Sequence, residues 1–165
     1  MTGPQSIELV RLRSSERIVA LTLSQQASSK GKGIASMFYE FTLSAPHETF
    51  YDITPQVREA VARSGIKSGI AVVYCPHTTA GITINENADP DVVKDLLFGL
   101  REAFPDRPQF RHAEGNSAAH LKASAIGSSA TVIVEGGKLL LGTWQGLYFC
   151  EFDPPRQRKF FVKVV

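Results

Sequence analysis

Ten consecutive residues, Arg111-His112-Ala113-Glu114-Gly115-Asn116-Ser117-Ala118-Ala119-His120, bring together two imidazoles, a carboxylate, a carboxamide and a hydroxyl. Almost nothing in the stretch is large and apolar, so it is not written as core. Its second half reads as a helix start. Asn116 or Ser117 can cap free backbone N–H groups, and small residues run on to Gly127, a stop signal. His120 then falls in the first turn, and His112 lies in the loop before it, with Gly115 allowing the bend between them. A helix N-terminus flanked by neutral imidazoles suits an anion or a metal–anion pair. The plainer alternative is a histidine that only satisfies a backbone carbonyl. The spacing fits no closed zinc module, which would use cysteines at short intervals.

Further polar clusters carry related chemistry. His77-Thr78-Thr79 follows a buried strand that Pro76 interrupts, and offers two hydroxyls and an imidazole to phosphate oxygens; the threonines are equally good strand residues. Asn85, Glu86 and Asn87 follow an apolar run at once and could hold a hydrated magnesium ion. Asp95 falls among Val92, Val93, Leu96 and Leu97, where a carboxylate must be paired or functional. Trp144 and Gln145, between Gly142 and Gly146, offer a flat ring for a planar ligand or a subunit contact. Glu151, Asp153, Arg156 and Arg158 form the last group; Arg156 and Arg158 lie two apart, so in an extended segment they face the same way and suit bidentate phosphate binding, or simply a solvated basic edge. Phosphate-loop, dinucleotide-glycine, nucleophile-elbow and His-Glu-x-x-His motifs are missing from the chain, so nucleophilic serine or cysteine catalysis has no support. Imidazole, carboxylate, amide and arginine together suit a metal–phosphate site.

The elements that must position these residues follow from patterning. Residues 7–13 and 17–23 are short strand candidates, and 24–33 (SQQASSKGKG) is a polar linker. From residue 37 the pattern is regular. Residues 38–43 and 69–75 read as strands, and 80–84 as extended. Asp52-Ile53-Thr54-Pro55 opens a helix with Thr54 as cap, and Ser64-Gly65 ends it. Asp89-Pro90 opens the clearest helix, closed by Pro105. After Gly127, residues 131–134 and 138–141 flank the hairpin signal Gly136-Gly137, and 147–152 and 159–165 add two strands. The fold class is therefore α+β: an antiparallel β-sheet or sandwich with about three helices, preceded by an extension over residues 1–35.

The totals fit one domain of 165 residues. A formal net charge of +2 gives no argument for nucleic acid. Apolar runs stay far below the ~18–20 residues that cross a bilayer, so no membrane partner is expected. Cys75 and Cys150, far apart in apolar runs, read as buried free thiols and favour a cytoplasmic location.

Taken in order, PHTTAGITINENADPDVVKDL, HAEGNSAAHLKAS and GKLLLGTWQGLYFCEFDPPRQR resemble the YjbQ-type family of secondary thiamine-phosphate synthases, from about residue 37 to the C-terminus. The resemblance implies a compact α+β fold, a homotrimer with sites near subunit boundaries, and weak synthase activity in which a pyrimidine diphosphate alkylates a thiazole phosphate and releases pyrophosphate. It places His77, His112 and His120 on the family's histidine positions, with a divalent metal (zinc or magnesium) or an anion expected there and no nucleotide cofactor. Glu86, Asp95, Glu114 and Asn116 fall on its acidic and amide positions, and Trp144, Gln145 and Arg156 on its C-terminal motif. The expected catalytic groups are His77, Asp95, Glu114 and His120. The expected binding groups for a phosphorylated small molecule are Thr78, Thr79, Asn85, Glu86, Asn116, Trp144, Gln145, Arg156 and Arg158. One departure is Pro154, where the family reads glycine, so a positive φ is not available there. The rival functions are a metal-dependent hydrolase of a phosphorylated small molecule and a non-catalytic trimeric ligand- or metal-binding protein.

Overall fold

Among the described residues, eight strands form two antiparallel sheets that close on one another. The computed structural model describes residues 36–165; the strand candidates at 7–13 and 17–23 and the linker at 24–33 lie outside the described residues. The elements are β1 (Met37–Ala45), β2 (Thr49–Asp52), α1 (Thr54–Ser64), β3 (Ser68–Tyr74), β4 (Ala80–Glu86), α2 (Pro90–Ala103), α3 (Ser117–Ile126), β5 (Ser129–Glu135), β6 (Lys138–Leu139), β7 (Gln145–Glu151) and β8 (Arg156–Val164). One sheet has the order β1-β8-β3-β5-β6 and the other β2-β7-β4. The α+β class expected from the sequence is the class observed.

Period-two alternation sends Tyr39, Phe41 and Leu43 of β1, Val73 of β3 and Phe160 and Val162 of β8 inward, against Ile82, Leu147 and Phe149 of the smaller sheet and Val57 and Val61 of α1. The opposite face of the smaller sheet presents Phe50, Tyr148 and Cys150. Those side chains pack against Ala119 and Ala123 of α3 and half-buried Val93, Leu96, Leu97 and Leu100 of α2. Because β7 is covered on both sides, its run Leu147-Tyr148-Phe149-Cys150 is continuously apolar rather than alternating.

Local signals explain most boundaries. Gly65 ends α1 with a φ of 70°, and Gly136 and Gly137, at 59° and 74°, make the β5–β6 turn that only residues tolerating positive φ support. Asp89 caps α2 by accepting from the Asp91 N–H at 2.9 Å. The Thr54 cap is corrected: Thr54 is itself the first helical residue. Its hydroxyl accepts from the Leu147 N–H at 2.8 Å, so it ties α1 to β7 instead of capping. The expected stripe of α2 is present, but no residue of that helix is fully buried. Asp95 is exposed, which removes the argument that its carboxylate must be paired or functional.

The C-terminus of α3 sits flush on β4 because Gly81 has no side chain. A Cβ there would meet the Gly127 carbonyl oxygen at 2.6 Å and Ile126 Cγ2 at 2.9 Å, and that carbonyl accepts from the Ile82 N–H at 3.0 Å. Gly81→Ala is expected to cost about 1–3 kcal/mol of stability through overpacking. Gly99→Ala, in open space on α2, should instead gain up to about 1 kcal/mol of helix propensity. Thermal unfolding of the two variants checks both signs.

Candidate functional site

The site is built on a buried ion pair at one end of the sandwich. Arg158, near the start of β8, is buried against Glu151, the last residue of β7, which has no exposed surface. The guanidinium grips both carboxylate oxygens, with Nη2 donating to Oε1 at 2.6 Å and Nε to Oε2. Nη2 also donates to Thr79 Oγ1 at 2.9 Å, just before β4. Glu151 Oε1 in turn accepts from the Asp153 N–H at 2.8 Å. Three strand ends are thereby pinned together, and the chain leaves β7 with Asp153 held in place. The Pro154–Pro155 bond that follows is cis.

Asp153 carries the order outward. Its Oδ2 accepts from Arg156 Nη2 at 2.8 Å and from Asn116 Nδ2 at 3.1 Å. Burial works to raise this carboxyl. The hydrogen bonds from Arg156 and Asn116, with the Arg156 and Arg158 charges, outweigh that and hold it below its ordinary value. Asn116 precedes α3 and makes no capping bond with its side chain; its Nδ2 also faces Glu114 Oε2 at 3.5 Å. The carboxamide is thus oriented by two acids, at the cost of an Oδ1 that is buried without a partner.

Gly115, with a φ of 71°, closes a turn in which its N–H donates to the His112 carbonyl at 3.1 Å. That turn carries the His112 ring back over α3, where it meets His120 edge to face with centroids 5.2 Å apart. Glu114 Oε2 stands 3.9 Å from His112 Nε2. The helix beneath is clamped from behind: buried Lys122 reaches Glu48 at 2.7 Å, and Glu48 also takes Arg101 of α2 at 2.8 Å. Together these groups line an open cleft of about 300 Å³ formed by Thr78, Thr79, His112, Glu114, Asn116, His120, Asp153, Arg156 and Arg158.

Of the residues singled out in the sequence, Thr78, Thr79, His112, Glu114, Asn116, His120, Arg156 and Arg158 meet here. Arg158 and Thr79 are largely engaged with Glu151 and with each other. His77 does not join them. Its Nε2 accepts the backbone N–H of Lys159 at 2.9 Å, and its ring lies 6.4 Å from that of Phe149. The expectation of three converging imidazoles is therefore corrected for one protomer, because the His77 lone pair is spent on the main chain. Among the described residues no three His, Cys, Asp or Glu side chains converge as a metal-holding group. Within one protomer, His112 and His120 meet and His77 stands apart from them.

Asn85, Glu86, Trp144 and Gln145 also lie elsewhere. Ala80 pairs with Glu151 and Glu86 with Gln145, so these four occupy the far end of β4 and β7. Six residues of strand separate them from the cleft end, roughly 20 Å. There Gln145 Oε1 accepts from the Gly142 N–H at 2.8 Å, and Trp144 is 63% exposed. Asp95 is outside the cleft as well. Glu151 and Asp153 belong to the last polar group of the sequence, but their roles as buried anchor and as link were not foreseen, and the segment 106–110 beside the cleft was missed. Glu151 stands out only once β7 is known to be covered on both faces. Cys75 and Cys150 are free and buried, as expected. Burial pushes the Cys75 thiol up to about 11 and Cys150 well above its usual value, so neither is a nucleophile near neutral pH. Among the described residues no helix is long and apolar enough to cross a membrane.

These features define an α+β sandwich domain with a polar cleft where the ends of three strands meet the N-terminus of a helix. Residues 39–165 match the family described as UPF0047 protein YjbQ-like, and the chain belongs to that family. It is 58% identical over 115 residues to the UPF0047 protein YugU of Bacillus subtilis, covering 69% of this chain and 87% of that one. Against the UPF0047 protein MJ1081 of Methanocaldococcus jannaschii it is 50% identical over 133 residues, covering 80% and 96%. Among solved structures, a Clostridium acetobutylicum protein, described as an uncharacterized conserved member of the yjbq/upf0047 family, superposes with a TM-score of 0.75. It shares 58% identity, over 76% of this chain and 98% of that one. A Sulfolobus solfataricus protein described as YbjQ-like and of unknown function gives a TM-score of 0.75 at 33% identity, over 78% and 96%. None of these descriptions carries thiamine-phosphate synthase activity. That expectation is corrected: what the resemblance establishes is the family and the fold.

Burial, and then the Arg158 charge, hold His77 below its ordinary value of 6.5. In the unfolded chain the same ring binds a proton more readily. Stability from this group is therefore full above about pH 6.5 and is lost as pH falls below it. The thermal midpoint should drop from about pH 7 to about pH 5, and His77→Gln, which keeps an acceptor but does not titrate, should flatten that drop. Calorimetry across the pH range reads both.

Proposed function

We propose that the chain binds a small phosphorylated molecule in the His112–His120 cleft and acts on it by proton transfer, as an acid–base enzyme of phosphoester chemistry. The observation that carries this reading is the pair of imidazoles in edge-to-face contact at 5.2 Å, beside Arg156 at the N-terminus of α3. A helix start offers N–H groups without intrahelical partners to phosphate oxygens, and a guanidinium neutralises their charge. Asp153 fixes Arg156, so the cation is placed before the ligand arrives. Thr78 adds a hydroxyl at the rim.

Imidazole is the side chain that both takes and gives a proton near neutrality. One ring takes the proton of a water or alcohol hydroxyl as that oxygen bonds to phosphorus, and the other gives a proton to the ester oxygen as its P–O bond breaks. Such transfers contribute about 10²–10⁴-fold in rate. Glu114 stands 3.9 Å from His112 Nε2, a carboxylate beside that ring.

Isothermal titration with inorganic phosphate tests the binding half. His120→Ala and Arg156→Ala are each expected to weaken binding at least about tenfold, which is about 1.4 kcal/mol, whereas His77→Gln should leave it unchanged. Turnover of a phosphomonoester panel followed by phosphorus NMR tests the catalytic half, and His120→Gln should lower any rate by about 10² or more. A wild-type chain that binds no phosphate sinks the reading.

The homotrimer implied by the resemblance belongs to the same proposal. Ile70 and Ile133, paired across β3 and β5, and Tyr74, stacked on Phe161, leave an apolar patch on the outer face of the larger sheet; patches of this kind mark contact surfaces. Sedimentation equilibrium should give three times the chain mass and a smaller species for Ile133→Lys. A monomeric wild type would remove the trimer.

A further inference from the structure

His112 lines two clefts. The second is an opening of about 470 Å³, formed by the loop between α2 and α3 together with the start of α3, and lined by Asp106, Arg107, Pro108, Phe110, His112 and Ser117. The geometry points to this second cleft as the seat for the organic part of the ligand, and to that part being an uncharged aromatic ring, so that the substrate class is an aryl phosphomonoester. The inference rests on the phosphate reading of the neighbouring cleft.

Two features choose the ring. Phe110 is half-buried within a segment that is otherwise polar, and Pro108 stands two residues away on the same opening. An aromatic side chain and a proline present flat apolar faces, against which a planar group packs better than a flexible chain. Charge then excludes a second phosphate. The lining carries one acid and one base, Asp106 and Arg107, whereas a seat for a second anion would need an excess of cations or a cluster of donors. Because His112 lines both clefts, a ligand whose phosphate sits against Arg156 and His120 reaches the second opening past that imidazole.

Titration of the full chain with inorganic phosphate, ethyl phosphate and phenyl phosphate tests this. Phenyl phosphate should bind about three- to tenfold tighter than ethyl phosphate, the range that an aromatic contact contributes. Phe110→Ala should erase that difference while leaving the affinity for inorganic phosphate unchanged, which also reports that the variant is folded. Phe110→Leu, which keeps apolar volume without the ring, should erase most of it. Equal affinity for phenyl and ethyl phosphate in the wild type, or an equal weakening of all three anions by the Phe110 variants, overturns the aromatic seat alone. Failure of the wild type to bind even inorganic phosphate overturns the phosphate reading, and the aromatic seat falls with it.

Discussion

The Glu151–Arg158 pair is the constraint on which the rest of the site hangs. Taking two charges out of water costs several kcal/mol each, and their attraction offsets this only when the remaining hydrogen-bonding capacity is also used. Here it is used. The guanidinium meets both carboxylate oxygens and the Thr79 hydroxyl, and the carboxylate also accepts from the Asp153 N–H. Such a pair is better understood as fixing geometry than as adding stability. It fastens the end of β7, the start of β8 and the residue before β4 into one cluster, and the polar cleft opens where they meet.

From that cluster, order passes to α3 along a single line of polar contacts. Asp153 is set by Glu151 and holds Arg156 and Asn116; Asn116 precedes the helix and its backbone carbonyl accepts from the Ala119 and His120 N–H groups. Two further attachments prevent α3 from sliding along the sheet. Its C-terminus is seated on β4 through the Gly127 carbonyl and the bare Cα of Gly81. Its middle is held by buried Lys122 through Glu48, which is shared with Arg101 of α2. His120 therefore projects from a helix fixed at the start, the middle and the end, whereas His112 is placed by a turn that depends on Gly115.

What was legible in the sequence was whatever is local. Alternation showed the strands, Gly136-Gly137 the hairpin, Asp89-Pro90 the α2 start, and the decapeptide from Arg111 the two imidazoles that meet. What was not legible depends on how distant segments pair. Trp144, Gln145 and Arg156 sit within thirteen residues of one another and read as one motif. Yet β7 runs between the first two and the last, so they occupy opposite ends of the sandwich. Asp95 misled for a different reason. An apolar stripe fixes the phase of a helix but not how deeply it sinks, and α2 lies shallow enough that residues at the edge of its stripe stay wet.

His77 shows how a histidine can look functional in a sequence and be architectural in the fold. β3 pairs with β8 only from Phe161 onward, with Tyr74 opposite it. Beyond Tyr74 the chain reaches Pro76, which cannot continue a ladder. The Lys159 N–H would be left facing a missing strand; the His77 ring folds back and its Nε2 takes the place of the absent carbonyl. That duty occupies the Nε2 lone pair of a neutral imidazole within the protomer. His112 and His120 differ in the one respect that matters for chemistry. Among the described residues neither ring is hydrogen-bonded to backbone, and both face an open cleft with an arginine and carboxylates at its rim. Nitrogen lone pairs that the fold does not use are the ones a ligand can.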